Sequence, residues 1–170
     1  EMRALYMGTN WGPVPYIIPE LAHMDGTTNR AWTETPERTE TLMAYVLLHD
    51  TGVWPVYINR QVMNRIWAAQ DAFDLLGATF IPYFANEWVT EQTEDVKVSL
   101  WRRDGRVLLV VANLSGEAQQ VKLQLAAEDL GLGQNLVASD LYELEAISIG
   151  ATGTLETKLK PHSFRLIVVR

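Results

Sequence analysis

Along residues 96–115, VKVSLWRRDGRVLLVVANLS, apolar and polar positions first alternate and then give way to an almost wholly apolar run. The alternation predicts one strand and the apolar run a second, more central one. Asp104-Gly105 between them suits a two-residue turn, in which both positions need positive φ. Pairing Arg103 with Arg106 sets Leu100 opposite Leu109 and Val98 opposite Val111 on one face. Trp101 then meets Leu108, and Ser99 meets Val110, on the other. The two-residue period continues downstream. Residues 119–125 place Val121, Leu123 and Leu125 on one side, and residues 126–133 fit a short helical turn. Residues 135–142 and 144–149 are shorter strand candidates. Residues 153–160 alternate Leu155, Thr157 and Leu159 with charged neighbours, and a Pro161-His162 turn leads into 163–169. Six or seven strands at this spacing predict an antiparallel sandwich.

Upstream the period lengthens. Thr35-Pro36-Glu37 is a helix start: a capping hydroxyl, a proline at the first helical position and an acid at the positive end of the dipole. The helix is expected to run to about Asp50 with Gly52 as its stop, and Leu42, Tyr45, Val46 and His49 share a face. Residues 53–58 form a short extended segment in which Pro55 argues against a central strand. A second helix is expected from Arg60 to Leu76, capped by Asn59 and stopped by Gly77. Its stripe is Val62, Ile66, Ala69, Phe73 and Leu76. Residues 79–84 are extended again. Helix, extended, helix, extended is α/β in character. Residues 1–37 are irregular and aromatic, which is uncommon in a compact domain unless functional. The fold expected is α+β. A small α/β portion occupies residues 1–90 and an antiparallel β-sandwich residues 91–170, with the apolar helix faces packed on the sandwich.

Charge and composition narrow the function. The net charge of −7 argues against a nucleic-acid surface. No apolar run approaches membrane-spanning length. The absence of cysteine removes disulfide and thiolate chemistry. No phosphate-binding, dinucleotide, nucleophile-elbow or zinc motif occurs. His23 and Asp25 alone make no metal site, so neither metal nor cofactor is expected.

The phrase FIPYFANEW (residues 80–88), followed by the hairpin and its continuation to residue 125, resembles the end of a (β/α)8-barrel glycoside hydrolase running into its C-terminal β-sandwich. TETLMAYVLLHDTGVWP (residues 39–55) is similar to late helix–loop segments of glycoside-hydrolase-like proteins, including those related to β-N-acetylgalactosaminidases. PHSFRLIVV (residues 161–169) resembles the last strand of such sandwiches. The resemblance implies a parent that hydrolyses glycosidic bonds. A complete barrel takes about 200–250 residues, so residues 1–90 supply only its last one or two β/α units. The chain by itself is then catalytically incomplete. Its expected partners are a carbohydrate ligand and either the missing N-terminal barrel portion or a second copy; no nucleic acid and no membrane are expected.

Glycoside hydrolysis needs carboxyl groups flanking the sugar, and barrel chemistry gathers at the C-terminal ends of strands. For the segment 79–84 that rule points to Glu87 as the candidate catalytic carboxylate, with Asn86 and Trp88 as ligand contacts. Trp11, Trp32 and Trp54 lie in loop-like segments where an indole can stack on the apolar face of a sugar. Against each stands a plainer reading: a solvated loop carboxylate for Glu87 and core packing for the tryptophans. Trp67, Trp101, His49 and His162 read as structural. Two other functions remain open. The chain could be a non-catalytic carbohydrate- or protein-binding module acting through residues 9–34, or a structural domain covering a barrel edge. Exposed Trp11 and Trp54 without convergent carboxylates favour the former, and both buried favour the latter.

Overall fold

A computed structural model describes residues 16–19, 35–91 and 93–170. The order of elements is β1 (Tyr16–Ile17), α1 (Pro36–Leu47), β2 (Gly52–Val53), α2 (Arg60–Phe73) and β3 (Thr79–Ile81). Then come a 3-10 turn (Tyr83–Ala85), β4 (Val89–Glu91), β5 (Val96–Arg103), β6 (Arg106–Asn113), β7 (Gln119–Leu125), β8 (Ala138–Asp140), β9 (Glu145–Ile147), β10 (Thr154–Leu159) and β11 (Ser163–Val169).

Three layers result. A six-stranded sheet, ordered β3-β5-β6-β11-β8-β9, lies between the two helices on one side and a three-stranded sheet, β10-β7-β4, on the other. Both sheets are antiparallel throughout. The hairpin forms in the expected register, with Arg103 opposite Arg106 and Leu100 opposite Leu109. β6 is the central strand, flanked by β5 and β11, which is why both of its faces are apolar. One parity of β5 and β6 (Val98, Leu100, Leu109, Val111) fills the core between the sheets. The other (Trp101, Leu108, Val110, Ala112) fills the core under the helices with Met43, Leu47, Ile66 and Phe73. Burying both faces excludes water from the middle of the hairpin, while its turn at Asp104-Gly105 stays exposed.

The helices end earlier than their patterns suggest. α1 stops at Leu47 with Leu48 as its cap, and Gly52 pairs with Tyr16 in β2 rather than ending the helix. α2 stops at Phe73. Asp74 takes the left-handed conformation at its C-terminus (φ 60°), in place of Gly77. Arg103 then donates to the carbonyls of Asp74 and Leu76 and pairs with the Asp74 carboxylate at 2.6 Å, satisfying the helix end from the sheet. Asn59 caps α2 as expected, accepting from the amides of Gln61 and Val62.

Residues 79–84 are a correction to the sequence reading. Only Thr79–Ile81 is strand, and it is the antiparallel edge of the six-stranded sheet, set by pairing with β5. It is therefore not a barrel strand. The parallel pairing lies elsewhere: β1 pairs β2 in parallel, Tyr16 opposite Gly52 and Ile17 opposite Val53, with α1 in the connection between them. Parallel neighbours need such a crossover.

Candidate functional site

Two places gather the residues that the sequence singles out. The first is the C-terminal end of the parallel pair. The Trp54 amide donates to the Ile17 carbonyl at 2.9 Å and extends the ribbon by one bond. Past that bond the chain turns at Pro55, so the indole projects with 57% of its surface exposed. Ile18, the residue after β1, is 62% exposed, and Tyr16 is 65% exposed over the backbone of Gly52. An apolar hollow of about 200 Å³ follows directly, between Pro55, Ile58 and the first turns of α2, with Met63 and the half-exposed Trp67 in its wall. Trp67 was expected to be structural, yet part of its ring is open to solvent.

The second place is the segment that crosses from one sheet to the other between β3 and β4. Asn86 is spent on the chain itself. Its amide nitrogen donates to the carbonyls of Val89 (3.2 Å) and Val98 (3.1 Å), and its oxygen accepts from the amides of Trp88 and Val89 (3.1 Å each). All of its hydrogen-bonding capacity is used. Glu87 is exposed beside it. Trp88 rests partly on the core between the sheets, and the rest of its ring walls a cleft of about 630 Å³. That cleft opens at the end of the sandwich where β3, the β5–β6 turn and the loop after β7 meet.

Facing Trp88 are Thr79 and Ile81 of β3, Arg102 of β5, and Leu130-Gly131 of the loop. Thr79 and Arg102 are direct cross-strand partners, as are Ile81 and Leu100. Arg102 thus has the inward parity of Leu100 and stands where that parity runs out of core. The position was legible in the alternation of β5 but its meaning was not. Leu130 and Gly131 come from the loop after β7, two strands further along the chain than β5, and no local pattern shows it. The guanidinium lies over Gly131, whose absent Cβ would stand 3.7 Å from Nη2.

The structure therefore puts Trp54 on the parallel ribbon and Asn86, Glu87 and Trp88 in the sheet-to-sheet crossing. Trp11 and Trp32 lie outside the described residues. Among the described residues no group of three or more His, Asp or Glu side chains is arranged to hold a metal ion. No helix among them is long and apolar enough to cross a membrane. His49 is buried, with Nδ1 2.7 Å from the Tyr45 carbonyl and its ring edge-on to Tyr83, as a packed helix end.

The other polar clusters fasten the layers. Arg65 of α2 stacks over the Tyr142 ring at 3.8 Å, donates twice to the Tyr142 carbonyl and pairs with Glu143. The Tyr142 hydroxyl donates to Glu40 of α1 at 2.7 Å; burial, then the Glu40 charge, push the phenol well above its ordinary range. Arg165 bridges Asp140 at 2.9 Å and Glu145.

The fold is thus a six-stranded and a three-stranded antiparallel sheet packed face to face, with two helices on the outer side of the larger sheet and one short parallel strand pair joined through α1. Residues 62–159, more than half of the chain, match the model described as "Glycoside hydrolase 123, C-terminal domain", and the chain belongs to that family. No curated protein matches it in sequence. Among solved structures it is similar in fold to a glycoside hydrolase family 27 β-L-arabinopyranosidase of Geobacillus stearothermophilus in complex with arabinose. That likeness has TM-score 0.57 and 16% identity, and covers 92% of this chain and 35% of that one. It is similar also to an Anoxybacillus α-amylase (TM-score 0.55, 10% identity, 84% and 34% covered). A third is a family 30 endoxylanase of Clostridium papyrosolvens C71 (TM-score 0.51, 15% identity, 90% and 41% covered). The chain thus spans between a third and about two fifths of the length of these proteins.

Proposed function

We propose that this chain is the C-terminal part of a carbohydrate-active enzyme that hydrolyses a glycosidic bond, and that it does not carry the complete catalytic apparatus. In this reading residues 1–90 contribute the last β/α units of a barrel, with β3 and β4 already given to the sandwich. The observation that carries it is the parallel pairing of β1 with β2 through α1. It is the one parallel pair among the described residues, and a β/α barrel is built from that unit. Trp54 follows β2 at the end where barrel loops hold substrate, and its exposed indole suits stacking on a sugar. Glu87 is exposed but sits after an antiparallel edge strand, which weakens its case as the acting carboxylate.

The test is a glycan array run beside hydrolysis of an aryl-glycoside panel, both with the 170-residue chain. The expected result is no turnover, with saccharide binding weakened about tenfold in Trp54→Ala. Turnover that vanishes in Glu87→Gln would put the acting carboxylate in this chain and overturn the proposal.

A non-catalytic binding module is the second reading, favoured by the exposure of Trp54 at the end of the parallel ribbon. The two part on one result. Only the first predicts turnover once the chain is joined to a complete barrel.

A further inference from the structure

The sandwich cleft holds a feature that the glycosidase reading does not use. Arg102 is half-buried, and among the described residues no carboxylate or carbonyl pairs with it. Its neighbour Arg103 shows the contrast, with a carboxylate and two carbonyls at 2.6 Å each. Removing a guanidinium from part of its water without a partner costs free energy, and an anion entering the cleft would recover it. The surroundings narrow the anion. Trp88 offers an aromatic wall to the same cleft, Ile81 and Leu130 apolar surface, Thr79 a hydroxyl-bearing side chain on the cross-strand partner of Arg102, and Asp104 a carboxylate. An aromatic face with hydroxyl and carboxylate groups in the same cleft suits a pyranose ring, and a free planar fork suits a carboxylate.

We propose that this cleft is a binding site for an acidic sugar residue, a hexuronate, separate from the place where Trp54 stands. The carboxylate meets the Arg102 fork in two parallel hydrogen bonds, and the apolar face of the ring lies on Trp88. The sugar hydroxyls reach Thr79 and Asp104. The net charge of −7 makes the chain a poor collector of anions in general, and Arg103, which also lines the cleft, is engaged by Asp74 and Leu76, so selectivity for an acidic ligand falls to the unengaged Arg102 guanidinium. The inference takes from the glycosidase reading only the choice of a sugar. Its test measures binding, so a failure of hydrolysis elsewhere leaves it intact.

The experiment titrates the 170-residue chain with methyl β-D-glucuronoside, methyl β-D-glucoside and acetate, following tryptophan fluorescence and amide shifts of residues 79, 102 and 131 by NMR. The glucuronoside is expected to bind at least about tenfold more tightly than either of the other two. Arg102→Gln should remove that preference, and Arg102→Lys should restore part of it, since an ammonium keeps the charge but loses the fork. Trp88→Phe should weaken the glucuronoside while leaving the response to acetate unchanged. Equal binding of glucuronoside and glucoside would overturn the role of Arg102, and equal binding of glucuronoside and acetate would overturn the sugar. No response to any of the three would overturn the site. These ligand comparisons need only the unaltered chain, so they decide the matter even if a variant folds poorly.

Discussion

Two asparagines show how much of this fold rests on single side chains. Asn86 holds the crossing between the sheets by four bonds to backbone groups of three residues. Asn113, wholly buried, does the same at the other end of the hairpin, donating to the carbonyls of Glu117 and Lys160 and accepting from Ser115. Asn86→Ala leaves two carbonyls and two amides without their partners and is expected to cost about 3 kcal/mol, measured as a shift of the urea midpoint at unchanged slope. Asn86→Asp should be worse at neutral pH, because a carboxylate would face the Val89 and Val98 carbonyls. The position of Asn86 was legible from the sequence. Its role was not, because Val98 belongs to a strand that only the folded chain brings near. Asp140 carries the residue-scale pH prediction. Burial raises its carboxyl above the ordinary range, while the amides of Tyr142 and Glu143 and the Arg165 guanidinium pull it back. A carboxyl raised in the folded state contributes stability that is full below its unfolded value, about 3.9. That contribution is lost as pH rises through the folded value. Replacing Asp140 by Asn should flatten that part of the stability–pH curve, and a curve of unchanged shape would count against it.

At the scale of elements, the period of the hydrophobic pattern located the strands well and the helix ends poorly. The pattern reports which face is covered, and the ends are fixed by partners distant in sequence. α2 stops short of its apolar stripe because Asp74 turns left-handed and Arg103 of β5 takes the freed carbonyls. α1 is tied to the sheet by Ser99, fully buried, which donates to the Leu48 carbonyl and accepts from the Tyr83 amide at 2.8 Å each. Sequence alone placed Ser99 on the face of β5 opposite Leu100 but could not say why a hydroxyl belongs there. Ser99→Ala is expected to destabilise by about 2 kcal/mol, more than deleting one exposed hydroxyl would. Gly153 sets the turn before β10: φ is 81°, and a Cβ there would stand 2.6 Å from the Leu125 carbonyl oxygen. Gly153→Ala should therefore cost at least about 2 kcal/mol through backbone strain and the displaced Leu125–Gly153 bond.

For the whole molecule, the question is whether the helices and the sandwich are one cooperative unit. The core under the helices takes residues from both: Met43, Leu48, Ile66 and Phe73 from the helical side, Trp101, Leu108, Phe164 and Leu166 from the six-stranded sheet. Polar ties cross the same boundary, from Arg65 and Glu40 to Tyr142, and from Leu48 to Ser99. The family match also begins inside α2, before any strand of the sandwich. A sandwich cut free at residue 78 would therefore expose an entire apolar sheet face, a surface larger than soluble domains leave open. Removing residues 1–77 should give a chain that binds a hydrophobic dye and self-associates in light scattering, while the 170-residue chain unfolds in a single thermal transition. A monomeric, dye-free sandwich would mean that the helices are passengers on the sheet.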